Sequence, residues 1–573
     1  MSSDFNGYPS VDRPWLKYFS SEAINGTVPS LSLFDYLVQS NKNRADRVAI
    51  NYLGRRITYH DLLKNIDAAA QGFLALGVKE HDIVTIALPS VPEAIYAIYA
   101  LNRIGAVANM IHPLAGVPEL INYLREVGSE VCILFDKTYE IISSSIELTH
   151  IRHTVVVSVG NSLPFFKRVL FNLKSKKNVT TSSNAITWRE FIKCGRSFDI
   201  PLIHKNCNET AIISHTGGTT GDPKGVMCSD RNINSLIWQI DHSVSLLSNG
   251  RVLAVLPPFV NYSLVHNMIE GLSFGWEVQL LPKYVPTKFT DYLRKYRPNY
   301  IHTIPAYLEV LLKDDKLNNM DLSFIDQMYY GGESMNLEAA KEVGEVLLSH
   351  GARNGLCTGL GATELMGAAT LAVGKTWIFG SVGAPFPKIN CKIVEPGTQT
   401  ELSYMQEGEI CFAGDTVMLG YYNNKSATDE IIKTHSDGLR WMHTGDLGYM
   451  NKDGILFVSG RIKRLIMTRD ADSQVTKIFP DRVEKVILSC PSVEACCVIG
   501  IPDEQYINRP VAVVLLKDEY SPSKETSEQI LSVCRDNLPS YMVPHSIEYR
   551  DSLPRTERGK VDFRALEEEL ANS

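Results

Sequence analysis

Five short apolar runs, at 210–214, 252–256, 300–304, 327–330 and 355–358, each pass directly into a loop rich in Gly, Pro or Ser. Runs of this length alternating with helical stretches are strands of an α/β sheet, and ligands bind where such strands end and their loops gather. The alternation begins earlier. Thr58 with Asp61 three residues on reads as a helix start; Leu62, Ile66, Ala69, Phe73 and Leu76 then recur at helical spacing until Gly77 closes the helix. A strand at 83–88, a helix at 92–103 and apolar runs at 106–111, 131–135 and 154–159 follow. From Ser381 the texture turns to strands and turns, including 408–413 and 455–458, which predicts a β-rich subdomain.

At 573 residues the chain outgrows one core, since cores stop growing near ~250–300 residues. The sequence divides into an N-terminal domain over 1–460, a charged joint at 461–463 and a small α+β domain over 464–573. A net charge of −7 gives no basic field, so nucleic acid is excluded as a partner. The 11 cysteines never stand as CxxC, which argues against a zinc site or a disulfide framework. The first residues carry neither a cationic nor an apolar leader segment, so a cytoplasmic enzyme is expected. One stretch stands apart. Over 163–177, Phe165, Phe166, Val169, Leu170 and Leu173 share a helix face ringed by Lys167, Arg168, Lys174, Lys176 and Lys177. Such a face either packs on the core or makes weak contact with a membrane surface.

The chemistry concentrates in a few segments. Directly after the strand ending at Ser214 comes a run containing Thr216, Gly217, Gly218, Thr219, Thr220, Gly221, Lys224 and Gly225. Its glycines let the backbone approach phosphates, its hydroxyls donate, and Lys224 supplies a cation: a phosphate cradle. It is not a Walker A loop, because Lys224 follows Pro223 and no Ser or Thr comes after it.

With this cradle, the chain from about Ile57 to Phe563 resembles the adenylate-forming superfamily, which includes acyl-CoA synthetases, luciferases and peptide-synthetase adenylation domains. The acyl-CoA synthetases are the nearest. The run Thr358, Gly359, Leu360, Gly361, Ala362, Thr363, Glu364 is similar to the family motif whose Thr contacts the α-phosphate and whose Glu helps hold magnesium. The resemblance gives those roles to Thr363 and Glu364. It likewise makes Asp446, in His443-Thr-Gly-Asp446, a ligand of the ribose hydroxyls; Arg461 a nucleotide contact; Lys463 the hinge; and Gly331, Gly332 and Glu333 the segment along the adenine. Near the C-terminus, Pro554 to Asp562 resembles the family's tail motif and makes Lys560 the catalytic lysine. A mobile cation there can offset the charge of an approaching carboxylate and of the α-phosphate in the transition state.

Two departures bear on specificity. Leu360 stands where the family usually has an aromatic residue, so an aliphatic side chain is expected against the adenine. Val260 stands where amino-acid activators carry Asp, so no carboxylate is offered to an α-ammonium group. The expected substrate is an apolar carboxylic acid, fatty or arylalkanoic, in a pocket of Val260, Tyr262, His266, Thr303 and Ile304. The resemblance implies ATP, Mg2+ and coenzyme A: the acid forms acyl-AMP with release of pyrophosphate, and a thiol then takes the acyl group. Segment 467–479 lacks the glycine usual beside the thiol path, which leaves a carrier protein as the alternative acceptor. A non-catalytic acyl-adenylate sensor is a third reading. No oligomeric state follows from the sequence.

Overall fold

The computed structural model describes residues 7–174, 184–216, 223–333, 335–469, 475–555 and 561–571. The runs predicted as strands form two large, mainly parallel sheets. In one, of seven strands, Arg251–Ala254, Tyr300–Thr303, Gln327–Tyr330 and Leu356–Thr358 run side by side, and only Arg55–Thr58 at the edge is antiparallel. In the other, of eight, Ile83–Ala87 lies between Val107–Met110 and Val131–Phe135, and Thr210–His215 pairs with Val107–Met110. Parallel strands need long crossovers, which is why the sequence alternates strand and helix.

Helix Tyr59–Ala75 begins as predicted: Thr58 accepts a hydrogen bond from the Asp61 amide. Helix Pro92–Arg103 has Pro at its first turn and buries every residue except Arg103. A helix apolar all round must be enclosed, and this one packs within the main core that both sheets share. A buried polar knot fixes three helices here. Asp230, at the start of Asp230–Ser243, accepts from the Leu33 amide (3.0 Å) and from Asn102 Nδ2 (2.6 Å). Its other oxygen lies 2.9 Å from Lys205 Nζ, so the buried carboxylate is paired.

The β-rich segment is present as a five-stranded sheet that includes Asn390–Val394, Gly408–Ala413, Arg440–Met450 and Leu456–Arg461. A small second domain follows, with its own core around Ile466, Ile478, Val483, Val498 and Ile530. Its start is pinned by Arg464, which pairs with Glu484 and with Asp481 (2.6 Å). Arg461 pairs in register with Asp446 of the large domain, whereas Ile466 belongs to the small core. The glycine-poor stretch that follows forms two antiparallel strands, Ile466–Arg469 and Val475–Ile478.

Helix Phe165–Lys174 forms as predicted, and Phe166 is 80% and Leu173 74% exposed, so this face does not pack on the core. No helix among the described residues is long and apolar enough to cross a membrane.

Candidate nucleotide and acid site

The cradle's ends lie on neighbouring antiparallel strands, Thr210–His215 and Gly225–Ser229, and the Thr216 amide donates to the Lys224 carbonyl (2.9 Å). Gly217, Gly218, Thr219, Thr220 and Gly221 lie outside the described residues. A short strand, Gly420–Tyr421, adds to the edge of Gly225–Ser229. That placement sets the Tyr421 hydroxyl 2.6 Å from Glu364 Oε1 and the ring 5.1 Å from Lys224 Nζ. Burial, then the Glu364 charge, pushes the Tyr421 hydroxyl pKa well up, so it stays a donor. Asn261 makes a second tie: its Nδ2 donates to the Thr363 carbonyl (3.0 Å) and its Oδ1 accepts from Ser214 Oγ (3.3 Å). Cradle strand, Lys224, Thr363 and Glu364 are thus brought together. Tyr421 and Asn261, which hold them, were not foreseen.

The glycines of the Thr358–Glu364 run are required by close backbone approach. A Cβ on Gly361 would stand 1.9 Å from the Gly367 carbonyl oxygen, and one on Gly359 2.4 Å from that of Thr370. Between them Leu360 is half-buried and packs against the main core. The chain returns through Met366 in a left-handed conformation (φ 60°).

Asp446 and Arg461 face each other across paired strands, with Arg461 Nε 2.6 Å from Asp446 Oδ1. The turn before Asp446 is braced by Glu409. One of its oxygens accepts from His443 Nδ1 (2.8 Å) and the other from the Gly445 amide (3.1 Å). His443 Nε2 meets His435 Nε2 at 3.0 Å. Burial, with Lys392 and His443 nearby, lowers the His435 pKa to about 4. A histidine depressed in this way stabilises the fold above its unfolded pKa and loses that contribution as pH falls through ~6.5 toward the folded value. Stability should therefore drop between pH 6.5 and 4 by roughly 1–3 kcal/mol on this account. Thermal unfolding against pH should show a shallower decline in His435→Gln, and equal slopes would contradict the assignment.

A cavity opens beside these strand ends. Its wall includes Gly331, Gly332, Thr358, Gly359, Gly361 and Gly367 at one end and Ile240, Leu246, Tyr300, Leu371 and Phe386 elsewhere. Along the strands it reaches from Gly331 back to Gln327 and Tyr300, which at ~3.3 Å per residue is about 13 Å. Of the predicted pocket residues, Tyr262 and His266 line it. Val260, Thr303 and Ile304 do not: Val260 caps helix Asn261–Ser263 and is 37% exposed, Thr303 is enclosed elsewhere, and Ile304 caps helix Pro305–Leu312. The wall instead carries Glu270, His302 and Tyr329, which the sequence reading missed. Glu333 lies beyond the lining, Lys463 sits in the turn Ile462–Arg464, and Lys560 lies outside the described residues.

A profile of AMP-binding enzymes matches residues 37–422, and one of the AMP-binding enzyme C-terminal domain matches 482–560. The chain belongs to the AMP-binding enzyme family. Among curated relatives of this AMP-binding enzyme, the long-chain-fatty-acid–CoA ligase of Bacillus subtilis is 28% identical over 98% of this chain and 99% of its own. The protein of the same name from Escherichia coli O157:H7 is 28% identical, with 98% of each chain covered. Among solved structures, ATP-bound MatB from Rhodopseudomonas palustris superposes with a TM-score of 0.80 at 20% identity, covering 95% of this chain and 99% of that one. At that identity the superposition speaks for the fold: a large N-terminal domain of sheets and helices with a smaller C-terminal domain.

Proposed function

We propose that this AMP-binding enzyme activates a carboxylic acid with ATP and passes the acyl group to the thiol of coenzyme A. The observation that carries the reading is the convergence of Lys224, Thr363 and Glu364, the last two following in the chain on Gly359 and Gly361 of the cavity wall. A carboxylate is ionised at pH 7 and needs no general base. Its oxygen attacks the α-phosphorus of ATP, the bond to the bridging oxygen breaks, and pyrophosphate leaves. The thiol sulfur then attacks the acyl carbonyl, AMP departs with the bonding pair, and the thiol proton goes to solvent.

In this reading the cradle from Ser214 to Lys224 holds the phosphates, Thr363 the α-phosphate, Asp446 and Arg461 the ribose side, and Gly331 to Glu333 the adenine. Glu364 fits magnesium: a hard cation takes carboxylate oxygen, and this carboxylate is part-buried, with Oε1 bound by a neutral hydroxyl. Magnesium there would neutralise phosphate charge. Lys463 would be the pivot for the small domain, and Lys560 the lysine it delivers. The apolar lining of Ile240, Leu246, Leu371 and Phe386 supports an acid with a largely apolar body, fatty or arylalkanoic. Names of the curated relatives point the same way.

The exposed apolar face of Phe165–Lys174, with Lys167 and Arg168 beside it, supports weak contact with an anionic lipid surface that stores such acids. Cosedimentation with anionic vesicles should fall at least about threefold in Phe166→Ser/Leu173→Ser, and unchanged binding would dismiss that contact. Acid-dependent pyrophosphate release from ATP, with and without magnesium and with and without coenzyme A, tests the reaction as a whole.

A further inference from the structure

The acid cavity has a polar group of residues in its wall that an unadorned hydrocarbon chain would leave unsatisfied. The six residues Leu264–Ile269 form a π-helical stretch running into Glu270–Ser273. His266 and Glu270 fall on one face, and His266 Nδ1 lies 2.7 Å from Glu270 Oε2. His302, on strand Tyr300–Thr303, stacks on His266 with ring centres 5.1 Å apart, and on Tyr329 at 4.9 Å. All three side chains are more than nine-tenths buried, and a ligand atom from each lies within 4.8 Å of the others. Nε2 of His266 and Nε2 of His302 are both buried without a hydrogen-bond partner among the described residues. Gly367 and His266 both line the cavity and lie close together: a Cβ on Gly367 would stand 2.8 Å from His266 Nε2.

With His266 Nδ1 engaged by Glu270, only Nε2 of that ring is left for a ligand, and it accepts or donates according to the tautomer. Burial, reinforced by His266, holds the His302 pKa well below the ordinary value, so that ring is neutral and its Nε2 can accept or donate according to tautomer. Two nitrogens that can each accept or donate match a neutral oxygen, whereas an added carboxylate would meet Glu270.

We infer that the acid activated by this enzyme carries a neutral oxygen, a hydroxyl or carbonyl, in its body, bound between Nε2 of His266 and Nε2 of His302. The register places it. His302 pairs with Tyr329, two residues before Gly331, so the oxygen sits about 6–7 Å inside the cavity mouth. This rests on the acid-activation reading above and narrows its apolar acid to an oxygenated one.

The test is kcat/KM for acid-dependent pyrophosphate release with matched pairs: octanoic against 8-hydroxyoctanoic and 5-oxooctanoic acid, and 3-phenylpropanoic against 3-(4-hydroxyphenyl)propanoic acid. At least one oxygenated member should exceed its plain counterpart by about tenfold to hundredfold or more, because a site built to bond an oxygen is left unpaired by the analogue lacking it. In His266→Leu/Glu270→Leu, which removes the pair together and strands no charge, that ratio should fall to about one or invert, with near-ultraviolet circular dichroism unchanged. Plain acids turned over as well as their oxygenated partners by the wild type would overturn the inference while leaving acid activation standing. Pyrophosphate release with none of the acids would remove both. A stoichiometric zinc content in the purified protein, lost in the double variant, would assign the three side chains to a metal and overturn it as well.

Discussion

Replacing Lys560 with Ala is expected to lower acyl-AMP formation by at least about 10²–10³-fold, the usual cost of removing one charge-stabilising group from a transition state. The attacking carboxylate and the α-phosphate are both anions, and their approach needs a cation that arrives with the substrates. Lys224 is placed at the cradle and is not free to follow the reacting atoms. In the proposed reading the arriving cation is the tail lysine, which follows the joint in sequence. Arg555 and Val561, on either side of that lysine in sequence, pair as an isolated bridge, and Val561 packs with the small-domain core. Removing the lysine should therefore leave thermal unfolding unchanged. Pre-formed acyl-AMP should restore thioester production, since the thiol step no longer needs that charge. Pyrophosphate release by the variant at the wild-type rate would refute the assignment.

Gly361→Ala should be nearly as damaging without touching a reacting group. The new methyl would overlap the Gly367 carbonyl at 1.9 Å, a backbone atom that cannot swing aside. The return through 366–370 has to shift, and the turn Thr363–Leu365 moves with it. A displacement of about 1 Å at positioning groups costs on the order of 100-fold in rate, and forced overlap in a packed region costs about 1–3 kcal/mol of stability. Gly344→Ala is the control. It lies in helix Leu337–Ser349, its Cβ would meet nothing closer than 3.4 Å, and a helical Gly→Ala change stabilises by ~0.5–1 kcal/mol. Equal activity in the two variants would show that the close approach does not position the site.

The sequence was most legible where one local rule was enough. Strands Val131–Phe135, Gln327–Tyr330 and Gly408–Ala413 and helix Pro92–Arg103 have the predicted bounds, because short, mainly apolar runs bounded by turns and a proline at the first helical turn allow few alternatives. What escaped depends on tertiary meetings. Tyr421 sits in a Gly-Tyr-Tyr-Asn run that reads as a turn, and only edge pairing with Gly225–Ser229 brings its hydroxyl to Glu364. Asn261 was passed over for its neighbours Val260 and Tyr262, although Asn261 ties Ser214 to Thr363. In the strand Tyr300–Thr303 the expectation fell on Thr303, whereas alternation turns His302 to the cavity. Glu270 was findable: it stands four residues after His266, the spacing that stacks side chains on one helix face.

The measurement that bears most directly on the central claim is pyrophosphate release from MgATP by the purified full chain, followed across a panel of carboxylic acids with and without coenzyme A. The account predicts release that depends on the acid, acyl-AMP accumulating without coenzyme A, and acyl-CoA with AMP appearing when it is added. No acid-dependent pyrophosphate from any member, under magnesium and with the cradle intact, would contradict it.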